Sequence, residues 1–201
     1  MNEKFFDLKT EKQDRMINAS LKIFSVNGYQ YASTDDIVKE AGISKGLLFH
    51  YFGSKLGLYS FLTDYCVRYI KMEITNIKND KETDYFVILK DIETAKLSAL
   101  KKFPYMQQFL IMMEREDSPD AMKATAENRT NLKALYQEIM KKADLSKFRA
   151  EANSLRIMKM VDIMLKSLMY EEIKTGAFKP DHYHTEAVSY LDMISSLVNK
   201  N

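Results

Sequence analysis

Between residues 34 and 55 the chain reads TDDIVKEAGISKGLLFHYFGSK, and helix starts and stops recur inside it at short intervals. Thr34, Ser44 and Ser54 each carry a hydroxyl that can accept a hydrogen bond from the first turn of a helix. Asp35 and Asp36 follow Thr34 and suit the positive end of such a helix. Gly42 and Gly53 break the helical pattern just ahead of Ser44 and Ser54. The stretch therefore predicts a helix over 34–41, a tight turn at Gly42, and a very short helix from Ser44 to about Tyr51. Two short helices meeting at a glycine turn form the pattern of a helix-turn-helix. Ile37, Val38, Ala41, Ile43, Leu48 and Phe52 supply a miniature core, with Phe24 from a preceding helix behind it.

The rest of the chain also reads as helical. Glycine (6) and proline (3) are scarce, methionine (13) is plentiful, and no period-two apolar alternation bounded by turns occurs. An all-α fold of about nine helices is expected. The first covers 11–27 and stops at Asn27-Gly28, where glycine can take a left-handed cap conformation. A fourth runs from Lys55 to about Asn79, roughly 37 Å at the usual rise, with Asn79-Asp80 as its break. Later helices are expected over about 82–102, from Pro104 to Arg115, from Ser118-Pro119 to Lys142, over 152–174 ending at Gly176, and over 183–199 after Pro180-Asp181.

Composition narrows the function classes. The single cysteine, Cys66, permits no intramolecular disulfide and reads as a small core residue. It fits a reducing, cytoplasmic setting. MNEKFFDLKTEKQ mixes acids and bases without a long apolar run, against a secretory signal, and no segment is long and apolar enough to suggest a membrane span. A net charge of +2 is too small to announce a nucleic-acid partner, so any basic surface has to be local. Between Gly42 and Tyr59 there are two lysines and no acid. Helix N-termini at Thr34, Ser44 and Ser54 add backbone N–H groups that can hold phosphates. No phosphate loop, nucleophile elbow or metal-ligand cluster is visible, so neither an enzyme nor a cofactor or metal site is expected. His182 and His184 flank Tyr183 at a spacing that does not bring two side chains to one helical face.

The run GISKGLLFHYFGSKLGL, residues 42–58, resembles the signature of the tetracycline-repressor (TetR) family, and the resemblance extends over about residues 12–62. It implies a three-helix DNA-binding domain, residues 1–54, and a ligand-binding and dimerisation domain, residues 55–201. Carried over by position, Thr34, Tyr51 and Lys55 would contact phosphates, with Ser44 at a helix N-terminus beside them. Lys45, Gly46, Leu47 and His50 would lie at the groove. Phe49 stands where the family often has tyrosine, and Leu47 where a small or polar residue is more usual. Leu47 can meet a thymine methyl but makes no base hydrogen bond.

The implied partners are a double-stranded, pseudo-palindromic operator, a small-molecule inducer, and a second copy joined through the last two helices. The 152–174 segment is apolar on most sides and 183–199 repeats the pattern, so a partner copy covering one flank is expected. Aromatic residues and methionines crowd the middle helices. Plain core packing is the favoured reading of each one singly, while the resemblance implies that some of Phe61, Tyr65, Tyr69, Phe86, Met106, Phe109 and Met113 line an inducer pocket. The function expected is that of a ligand-released transcriptional repressor. The alternatives are a ligand-independent architectural DNA-binding protein and an all-helical enzyme.

Overall fold

Helix-forming residues and well-placed caps give the all-α chain that the periodicity predicts. The computed structural model describes residues 3–77, 81–175 and 177–200. Among these residues there are nine α-helices: α1 Thr10–Tyr31, α2 Thr34–Ala41, α3 Lys45–Phe52, α4 Lys55–Ile77, α5 Tyr85–Lys102, α6 Met106–Arg115, α7 Pro119–Met140, α8 Ser154–Lys174 and α9 Pro180–Val198. Two 3-10 turns, Glu3–Phe5 and Leu145–Lys147, complete the described elements. The expected breaks at Asn79-Asp80 and Gly176 lie outside the described residues.

Several boundaries differ from expectation for identifiable reasons. The cap of α2 is Ser33, not Thr34. Ser33 has extended backbone (φ −92°, ψ 129°), and its hydroxyl accepts from the Asp35 and Asp36 N–H groups. Thr34 is already helical, so its hydroxyl cannot play that part. Ser44 caps α3 as expected, accepting from Leu47 N–H at 3.2 Å, and Ser54 accepts from Gly57 N–H at 2.9 Å. Gly28 takes the left-handed φ of 69°, yet it kinks α1 rather than ending it. The helix resumes because the Glu116 carboxylate accepts the Tyr29 N–H at 2.9 Å, replacing a bond the kink removes.

Farther along, Asp84 accepts from the Phe86 and Val87 N–H groups, which delays the start of α5 to Tyr85. Pro104 sits in a turn closed by Met106 N–H on Phe103 O, and α6 begins at Met106. Asn153 caps α8 through Arg156 N–H. Pro180 is the first residue of α9 rather than a residue ahead of it, a position where its missing N–H costs nothing.

The chain forms two compact units. One comprises residues 1–69 and 102–132, and contains α1 to α3, most of α4, α6 and the first part of α7. Its core is built around Phe24, with Tyr59 at 5.0 Å and Phe109 at 6.3 Å between ring centroids. Met106, Phe109 and Met113 of α6 are fully buried where that helix packs on α1. Cys66 is buried in the same unit, and desolvation pushes its thiol well above the ordinary range.

The other unit comprises residues 70–101 and 133–201. It buries an ion pair: Glu93 accepts from Lys96 Nζ at 2.8 Å and from the Tyr183 hydroxyl at 3.0 Å. The Lys96 ammonium lies 5.7 Å from the Tyr136 ring centroid. Burial, the largest single effect, lowers the Lys96 pKa, but the charge and hydrogen bond of Glu93, with Tyr136 and Asp162, together outweigh it and the net shift is upward. In the same unit α8 buries Ile157, Val161, Leu165, Met169 and Ile173 at four-residue steps, and leaves Leu155, Met160, Ile163 and Tyr170 exposed. Helix α9 buries Tyr183, Ala187, Leu191 and Ile194, and leaves Tyr190, Met193 and Leu197 exposed. No described helix is long and apolar enough to cross a membrane.

Candidate nucleic-acid interface

The α2–turn–α3 segment is short in every part, and each part has a cause. Helix α2 ends at Gly42, whose φ of 62° and ψ of 45° are left-handed, and Ile43 N–H bonds back to Val38 O at 3.1 Å. Ser44 then restarts the chain as α3. Ile37 and Ala41 of α2 and Leu48 of α3 are buried, so the two helices turn their apolar sides inward. What remains outside on α3 is Lys45, Gly46 and His50, all exposed, with Leu47 and Tyr51 half-buried beside them. A Cβ built on Gly46 would meet nothing, so nothing in the protein itself demands glycine there.

Both lysines between Gly42 and Tyr59 are engaged. Lys45 Nζ lies 2.8 Å from Asp35 Oδ1 and 3.0 Å from Oδ2, an exposed pair joining the first turns of α2 and α3. The positive face expected between Gly42 and Tyr59 is thus partly neutralised by an acid from outside that window. Lys55, at the start of α4, donates to Gln30 O at 3.1 Å and to Ala32 O at 3.2 Å, and lies 4.7 Å from the Tyr29 ring centroid. It fastens the link between α1 and α2. The two lysines differ in how firmly they are held. An exposed ion pair is worth about 0–1 kcal/mol, whereas hydrogen bonds to a charged group are worth about 1.5–3 kcal/mol each. Lys45 is therefore the side chain that is cheap to redirect.

Sequence reasoning overlooked three contributors. Ser33 stands next to another hydroxyl residue, and only backbone geometry tells the two apart. Asp35 lies ten positions from Lys45 and carries no local signal. Phe5, in the 3-10 turn ahead of α1, is fully buried against Tyr51, Phe52 and Phe61, at centroid distances of 5.8, 5.2 and 5.1 Å. Its signal was an apolar pair, Phe5-Phe6, inside an otherwise charged segment.

The sequence profile described as "Bacterial regulatory proteins, tetR family" matches residues 16–60, which contain this whole motif. Over residues 16–60 the chain is similar to the TetR family. Among similar proteins, the HTH-type transcriptional regulator YerO of Bacillus subtilis is 36% identical over 72 residues, 36% of this chain and 24% of that protein. The negative regulator IcaR of the Staphylococcus aureus biofilm operon icaADBC is 29% identical over 75 residues, 37% of this chain and 39% of that protein. The chain thus matches about a quarter to two fifths of these relatives' length. A TetR-family regulator from Chloroflexus aurantiacus superposes over 99% of this chain and 98% of its own, with a TM-score of 0.63 and 18% identity. The TetR-family regulator PfmR of Thermus thermophilus covers 90% of this chain and 96% of its own, with a TM-score of 0.56 and 19% identity. At those identities the structures establish the TetR fold of the chain.

The remaining candidate residues separate. Phe61, Tyr65 and Tyr69 stack along one face of α4 at 6.0 Å steps, and belong with Met106, Phe109 and Met113 to one unit. Phe86 belongs to the other, where it packs on Tyr85 and Phe148. His182 pairs with Glu172 at 3.3 Å, and His184 with the Thr94 hydroxyl at 3.2 Å. No group of three side chains suited to a metal ion forms among the described residues.

Proposed function

We propose that this chain is a dimeric transcriptional repressor that holds double-stranded DNA through residues 1–54 and releases it when an apolar small molecule binds within residues 55–201. The observation that carries this reading is the α2–Gly42–α3 joint, which puts Lys45, Gly46 and His50 on the exposed side of a short capped helix. That is the arrangement in which the second helix enters the major groove. In this reading Lys45, Gly46, Leu47 and His50 meet base edges. Thr34, Ser44, Tyr51 and Lys55 meet phosphates, with Lys55 acting from its fastened position and Lys45 leaving Asp35. The description of IcaR as a negative regulator supports repression over activation.

The second copy covers the outer faces of α8 and α9. Leu155, Ile163 and Tyr170, with Tyr190, Met193 and Leu197, form exposed apolar surface on two helices whose other faces are already packed. Exposed apolar patches of this kind mark interfaces. The inducer pocket draws on Phe61, Tyr65, Tyr69, Met106, Phe109 and Met113, all within one unit. Aromatic and methionine side chains repack at low cost around an apolar guest.

Selection of bound duplexes from a random pool tests the reading. A dimer selects a pseudo-palindrome whose half-site centres lie about one helical turn, roughly 34–36 Å, or a multiple of it apart. Recovery of a single asymmetric site, or of none, would overturn it.

A further inference from the structure

We infer that Phe5 is a positioning residue for DNA reading: it is the wedge that fixes the end of α3, with Tyr51, against α4. This rests on the DNA-binding reading of α3. Helix α3 has eight residues, too few to be stable or to hold a direction without tertiary packing. Leu48 is its only fully buried side chain among the described residues. The orientation of its C-terminal end therefore depends on what Tyr51 and Phe52 touch.

They touch Phe5. The Phe5 ring presents an edge to Tyr51 at 75° and to Phe61 of α4 at 72°, and lies tilted against Phe52. Phe52 and Phe61 close the cluster at 4.9 Å. A ring that meets three others from two helices fixes the angle between those helices, because edge-to-face contacts are directional. The wedge is itself held. Leu8 N–H bonds to Phe5 O, and the Gln13 side-chain amide donates to Phe6 O at 3.1 Å and to Leu8 O at 2.7 Å. The segment before α1 is thus tied to α1 by one side chain and to α3 by another.

The cluster also continues. From Phe61 the stacked rings of Tyr65 and Tyr69 run along α4, and both present edges to Phe103, at 5.6 and 5.3 Å. Phe5 joins that ladder to Tyr51. A change in the ladder reaches the reading helix through this ring, and so does its removal.

The test compares Phe5→Leu and Phe5→Ala with Val26→Ala, a substitution at an exposed apolar residue of α1 outside the ring cluster. Binding isotherms are measured on the selected operator and on single-base variants of it, well below each variant's melting temperature. Amide exchange of residues 47–52 is followed by mass spectrometry. Phe5→Leu keeps apolar volume and loses the ring edges, so the protein stays folded by circular dichroism. Its affinity for the operator falls tenfold or more, its preference for the operator over the variants narrows, and exchange in α3 quickens while exchange in α9 does not. Phe5→Ala shows the same pattern more strongly, and Val26→Ala leaves all three readouts unchanged. A folded Phe5→Leu protein with a lowered melting temperature but unchanged affinity and preference would make Phe5 an ordinary core residue and overturn the inference alone. Failure of the parent protein to select any DNA would overturn the functional reading and this inference with it.

Discussion

Single side chains at the interface do different jobs, and substitutions separate them. Ser33 and Thr34 are adjacent hydroxyl residues, but only Ser33 accepts from the first turn of α2. Ser33→Ala should lower stability by about 0.5–2 kcal/mol, the usual cost of a lost cap, while Thr34→Ala stays within about 0.5 kcal/mol. Thermal unfolding of the two variants checks this, and equal losses would show the cap to be shared. Asp35 is the counterpart case, a charge paired with Lys45 that, in the proposed DNA-binding reading, competes with DNA for it. Freeing Lys45 by Asp35→Asn should tighten DNA binding by about 1.5- to 5-fold, the range that a surface pair of 0.2–1 kcal/mol supports. The gain should shrink as salt rises, because screening weakens the pair and the phosphate attraction alike. Isotherms at low and high salt decide it, and unchanged affinity at low salt would mean that Lys45 does not leave Asp35. The candidate site was legible in part at this scale. Ser44, Lys45, Gly46 and His50 sit where the spacing put them, since a short capped helix leaves few choices. Asp35 and the fastening of Lys55 depend on contacts 10 and 23 to 25 residues apart, which no local pattern encodes.

Elements carry the next level, and α8 shows how one sequence pattern encodes two faces. A helix apolar on most sides reads as covered on most sides. In the folded chain one stripe, Ile157 to Ile173 at four-residue steps, is buried, and a second apolar set remains outside. Substituting each face should give different failures. Ile163→Glu places a charge on the exposed face, so the chain stays folded while the proposed dimer falls apart at micromolar concentration. Val161→Glu buries a charge and unfolds the chain, since an unpaired buried charge costs far more than the chain's margin of stability. Sedimentation beside circular dichroism checks both. A folded Ile163→Glu dimer would remove α8 from the interface. Helix existence was readable throughout, because period and caps are local. The ends that moved, at α5, α6 and α9, are those where Asp84, a turn at Phe103–Met106, or Pro180 sets the first residue. The kink at Gly28 was half legible: glycine announced a left-handed residue, but continuation of the helix needs Glu116, 87 positions away from Tyr29.

For the whole molecule the issue is coupling between DNA and ligand. Net charge is +2, so long-range attraction to DNA is weak, and in the proposed reading affinity comes from the local face of each copy. A palindrome read by two copies tolerates little change in the separation of the two α3 helices, which makes that separation a sensitive point of control. In the reading proposed here, an apolar guest repacks aromatic and methionine side chains such as Tyr65, Tyr69 and Met106, and α4, which begins at Lys55, carries the change toward α3. Thermodynamics bounds what the guest can achieve. It shifts DNA binding only by its differential affinity for the two forms, typically about 1–3 kcal/mol, or about 5- to 150-fold. The relation is reciprocal, so saturating operator must weaken ligand binding by the same factor. Apolar compounds that raise the melting temperature of the full chain supply the candidates, since a ligand that binds only the folded form stabilises it. Calorimetric titration of such a compound, with and without operator, should then give two dissociation constants whose ratio equals the ratio of operator affinities with and without the compound. Tight ligand binding with the same constant in both titrations would refute the switch. It would leave a regulator that grips DNA without responding to the ligand, because a guest with no preference between two states moves neither.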